Sequence, residues 1–167
     1  MNAKTPTGFS LFEVVVYLAV FALVMVAILT ISAQSVRSKT KAVAIHNVNH
    51  AVTFVLHRIS SDVRSAKTID ANDFEDGLLT LTLADNSTRQ YQFTAGAITL
   101  ANNGGSPLTL TPSNVTIDQF TVVNRTHTNF NTIRTISITV QASIGSSSNR
   151  PEFEADAAGT TTITLRQ

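Results

Sequence analysis

The hydrophobic pattern of the chain changes character twice. From Phe9 the stretch FSLFEVVVYLAVFALVMVAILTIS is apolar on every side of a helix, and Glu13 is its one acidic interruption. No charged residue occurs from Val14 to Val36, a run of 23. At about 1.5 Å per residue such a run reaches roughly 34 Å, enough to cross a hydrocarbon core of about 30 Å. Its β-branched residues do not argue for a strand. In a bilayer only a helix satisfies the backbone within one segment.

Helical periodicity continues beyond this run in a different form. With His46 at zero and about 100° per residue, Ile45, Val48, Val52, Val55, Leu56, Ile59, Val63 and Ala66 fall in an arc roughly 100° wide. His46, His50, His57 and Arg64 fall on the opposite side. Neither Pro nor Gly interrupts Phe9 to Thr68, so one continuous helix of about 55–60 residues is expected. Its first half is apolar all round, and its second half carries a stripe that must cover something.

DANDFEDG, Asp70 to Gly77, breaks the helix, and the period then becomes two. Strands are expected at Leu78–Ala84, Arg89–Thr94, Ala97–Ala101, Pro107–Leu110, Val115–Val123, Thr132–Ala142 and Thr160–Gln167. The connections between the early strands are short and turn-rich (DNST, NNGGSP), which points to hairpins and an antiparallel sheet. Ser143 to Gly159 has the weakest pattern. The expected architecture is α+β: a long N-terminal helix, membrane-spanning and then amphipathic, packed through its stripe on an antiparallel β-rich head.

Composition sharpens this picture. Of 167 residues, 43 % are hydrophobic and 14 % charged, which is too apolar for a disordered chain. A net charge of +1 supplies no global basic field for nucleic acid. The absence of cysteine excludes disulfides, thiolate metal sites and a cysteine nucleophile. The last 90 residues, Leu78 to Gln167, hold 18 threonines, the composition of a polar-faced sheet.

The N-terminal residues Gly8, Phe9, Ser10, Leu11, Phe12 and Glu13, followed by the long apolar helix, resemble the class III signal of type IV prepilins and type II secretion pseudopilins. The resemblance implies cleavage between Gly8 and Phe9 by a membrane aspartyl peptidase. It implies N-methylation of Phe9 by the same enzyme, and Glu13 as the carboxylate that guides assembly into a helical filament. The segments it implies are a leader at 1–8, a transmembrane and assembly helix at 9–36, its amphipathic continuation at 37–68, and a pilin-like head at 69–167. The strand pattern LLTLTLADNSTRQYQFTAGAITL and the ending TTITLRQ look more loosely like minor pseudopilins of the J type or W-type minor pilins. The implied partners are other pilin or pseudopilin subunits, the prepilin peptidase/methyltransferase, inner-membrane lipid and the assembly platform. The implied location is the bacterial inner membrane with the head outside the cytoplasm. Where the family commonly has a proline in mid-helix this chain has Thr30.

Physical chemistry supports the reading of Glu13 separately. A lone carboxylate in a membrane helix costs about 2.5–3.5 kcal/mol on insertion scales. The apolar run offers it no cation, whereas the free N-terminal amine of a neighbouring trimmed chain would. Such pairing in a low-dielectric bundle would fix the axial offset between subunits. A monomeric, signal-anchored β-domain adhesin or sensor is the alternative. It predicts no dependence on the peptidase and no effect of changing Glu13.

Other candidate groups have plainer readings. His46 and His50 have the i, i+4 spacing that can bind zinc, but no third ligand accompanies them; they read as polar residues facing away from the sheet. Asp70, Asp73, Glu75 and Asp76 lack the spacing of a calcium loop and read as a solvated turn. Arg37, Lys39 and Lys41 read as a collar at the lipid headgroups. Tyr91, Phe93, Phe120 and Phe130 read as core rather than as a stacking platform for single-stranded DNA. Asn86, Asn114 and Asn124 open glycosylation sequons that carry no meaning in a bacterium. His127 is the only histidine beyond the helix and has no catalytic companions, so neither an enzyme nor a cofactor is expected.

Overall fold

The computed structural model describes residues 10–70, 77–128, 132–145 and 151–166. The cleavage residues Gly8 and Phe9, the acidic positions Asp73, Glu75 and Asp76, and Phe130 lie outside these. The order is helix α1 (Leu11–Ser65), then strands β1 (Ala66–Ile69), β2 (Leu78–Leu83), β3 (Thr88–Thr94), β4 (Ala97–Asn102), β5 (Leu108–Thr109), β6 (Thr116–Asn124) and β7 (Thr135–Ile144). A 3-10 turn (Pro151–Phe153) precedes the last strand, β8 (Ala155–Thr164). The result is an α+β fold with one long N-terminal helix and antiparallel sheets.

The chain divides into two compact units, one ending at Lys39 and one starting at Thr40. In the first, α1 is exposed on every side: the most apolar window is 0 % buried. Leu11, Phe12 and Leu23 stand 84 %, 75 % and 72 % exposed. The helix is long and apolar enough to cross a membrane. The Thr30 hydroxyl donates to the Val26 carbonyl at 2.8 Å, which satisfies it within the helix.

In the second unit, α1 buries Ala44, Val48, Ala51, Val52, Val55, Ile59, Asp62 and Val63, the 3-and-4 spacing of one helix face. Most of the expected stripe is therefore in place, with Leu56 half-buried. The buried arc is rotated towards Ala44 and Ala51, however, and Ile45 is 41 % exposed.

The helix stops at Ser65, three residues before the expected end at Thr68. The Ser65 hydroxyl donates to the Ser61 and Asp62 carbonyls, at 3.1 and 3.0 Å, and so serves the Asp62 carbonyl, one of the last four that the helix leaves open. Ala66–Ile69 instead forms β1, antiparallel to β2, with Ala66 and Ile69 buried. These four residues, ending in β-branched Thr68 and Ile69, gain ladder bonds with β2 and burial of Ala66 and Ile69 in the sheet.

The strands make two sheets rather than one, in the orders β1-β2-β3-β4-β5 and β6-β7-β8. They meet where the Ile117 amide donates to the Gly96 carbonyl at 2.7 Å. Gly96 has φ +75°, and a Cβ there would lie 3.0 Å from Thr116 Cγ2, so both its conformation and its neighbour require glycine. β8 begins at Ala155, five residues earlier than expected, because Gly159 lies under the helix. A Cβ at Gly159 would meet Leu56 Cδ1 at 2.7 Å and Val52 Cγ1 at 2.9 Å. The alternation Ala155-x-Ala157-x-Gly159 is a strand whose inward side chains have been shrunk to admit α1.

Candidate functional site

Glu13 is the third residue of α1, in the first turn, where unpaired amides and the helix dipole favour a negative charge. One turn on, the Tyr17 hydroxyl donates to Glu13 Oε1 at 3.1 Å. Among the described residues Glu13 has no cationic partner. A phenol can hydrogen-bond the carboxylate but cannot neutralise it. Among the described residues the site is thus a half-satisfied charge at the start of a helix that carries no other charge up to Val36.

A second polar centre lies inside the second unit, where sequence reasoning expected only core. Asp62 is 4 % exposed on the stripe of α1. Arg89 and the hydroxyl of Tyr91, two residues apart on one face of β3, both donate to its carboxylate. Arg58, one helical turn before Asp62, places Nε 3.6 Å from Oδ2. Tyr91 is fully buried, and burial together with the Asp62 carboxylate pushes its phenol well above the ordinary value of 10.0. Three side chains from helix and sheet therefore fix the register of α1 on β3. A carboxylate within an apolar stripe, and an Arg-x-Tyr pair on an otherwise alternating strand, were the available signals. Neither identifies its partner without the fold.

The remaining candidates are dispersed. His46 and His50 are exposed, with ring centres 6.2 Å apart and planes at 40°. His57 lines a groove of 510 Å³ with Thr53, Leu56, Ser60, Ser61, Arg64 and Thr161. Of the expected collar, Lys41 donates to the Pro151 carbonyl at 3.2 Å and to the Glu154 carbonyl, tying the turn before β8 to the helix. Tyr91 and Phe120 are buried, and Phe93 packs against the same core. Buried rings offer no face to a nucleic-acid base. No group of three or more metal-ligating side chains occurs among the described residues. Comparison with family models, with curated proteins and with solved structures gives no match.

Proposed function

We propose that this protein is a structural subunit, a minor pilin or pseudopilin, of a type IV pilus or type II secretion-like filament. It is made as an inner-membrane precursor, cut after Gly8, methylated at Phe9 and assembled through its N-terminal helix. The observation that carries this reading is the state of Glu13: a carboxylate in the first turn of an exposed apolar helix, with a phenol beside it and no cationic partner among the described residues. The free amine of Phe9 in a neighbouring subunit supplies the missing charge, and supplies it only after the leader has gone.

The same apolar surface serves twice. Lipid covers it before assembly and other subunits' helices cover it afterwards, so transfer between the two exchanges one apolar environment for another. Buried in a bundle at the wrong axial offset, Glu13 and the amine would both be left unpaired, at a cost of several kcal/mol. The pairing therefore sets register rather than strength.

The experiment is Glu13→Val in the native host. The variant is expected to be inserted and processed like the parent and to be recovered from the membrane rather than from filaments. Assembly at parental levels would refute the role given to Glu13. The anchored adhesin or sensor reading predicts that outcome.

A further inference from the structure

The face of α1 turned away from the sheets carries two features that filament assembly leaves unused. His46 and His50 stand one turn apart and exposed, their ring centres 6.2 Å from each other. Neither imidazole takes part in a hydrogen bond or ion pair among the described residues. Beside them, Val43 and Phe54 are 50 % and 47 % exposed. At about 100° per residue these four side chains fall within roughly 80° of arc, so the stripe is mixed imidazole and apolar with no acid in it.

Histidines at i and i+4 are the spacing by which one helix offers two nitrogens to one metal. At Zn–N bonds of about 2.0–2.1 Å, two rings on a tetrahedral ion have centres about 5 Å apart. The observed separation closes to that with a side-chain adjustment of about one ångström. Structural zinc takes four ligands, and the described residues of one chain offer no third. With cysteine absent from the chain, the donor set is nitrogen only. Imidazole selects zinc, copper or nickel over calcium and magnesium.

We propose that His46 and His50 form half of a zinc site that a second copy of this chain completes with the same two residues. The second copy follows from the anchor. Copies inserted by the same N-terminal helix share one orientation in the membrane, so neighbouring helices run parallel and present these positions at equal height. A two-fold axis along the helices then gathers four imidazoles, with Val43 and Phe54 packing against their counterparts around the ion. This rests on the anchor helix alone and holds whether or not the chain enters a filament.

The test uses the full chain in detergent micelles, stripped of metal and titrated with zinc alone near pH 7.5. Calorimetry reads stoichiometry and sedimentation reads dimer content. One zinc per two chains is expected, with the dimer dissociation constant lowered at least tenfold. Cobalt in place of zinc is expected to give the intense visible absorption of a tetrahedral ion. His46→Gln and His50→Gln are each expected to abolish these effects. His57→Gln, on the same face but outside the pair, is expected to leave them unchanged. No zinc uptake, one zinc per chain without dimers, or a zinc-dependent dimer that survives His46→Gln would each overturn the proposal.

Discussion

Replacing Tyr91 by phenylalanine separates the lock between helix and sheet from the packing around it. The ring stays in its buried site and only the hydroxyl leaves. The lost bond ran to a buried carboxylate, a class that contributes about 1.5–3 kcal/mol. At neutral pH the variant should therefore be less stable by about 2 kcal/mol. The folded protein holds the phenol proton more tightly than the unfolded chain does, because burial and Asp62 both oppose the phenolate. The corresponding stability is present in full below the unfolded value of 10.0 and is lost as pH rises above it. Above that point the parent should lose about 1.4 kcal/mol per pH unit through this group. The variant lacks that component, so the gap between the two proteins should narrow between about pH 10 and 11.5. Urea unfolding of the full chain in micelles, followed by circular dichroism of the strands at several pH values, measures both effects. Parallel stability curves across the alkaline range would refute the coupling of Tyr91 to Asp62.

Two further substitutions test the packing of α1 on the sheets. Asp62→Ala leaves Arg89 and the Tyr91 hydroxyl without their shared acceptor and should cost about 3–5 kcal/mol, read as a lower urea midpoint with an unchanged slope. Gly159→Ala drives a methyl group into Leu56 and Val52 and should cost about 1–3 kcal/mol, whereas Ala158→Gly next to it, on the outer face, should cost less than half as much.

Much of this architecture was legible in the chain because two periods dominate it. The uncharged run to Val36 and the stripe from Val48 to Val63 each follow from where apolar residues recur, and both appear in the structure as elements of the expected kind. Boundaries were less legible. Ala66–Ile69 continues the helical pattern but is claimed by β2, and no local signal announces a strand partner twelve or more residues away. Ala155–Gly159 lies in the stretch of weakest pattern because its inward side chains are small where Val52 and Leu56 approach. Its meaning lies in the helix above it. The Asp62 centre was hidden for a similar reason. A single carboxylate at the margin of a stripe is common, and only the pairing of β3 with its neighbours brings Arg89 and Tyr91 beneath it. Glu13 stood out at once, because its surroundings are uniform over 23 residues and any charge there is conspicuous.

In the proposed subunit, Glu13 in the first helical turn pairs with an amine that exists only after eight residues are removed. Mass spectrometry of the protein extracted from native membranes with an active peptidase tests it directly. A chain beginning at N-methylated Phe9 is expected. A chain that still begins at Met1 under those conditions would contradict it.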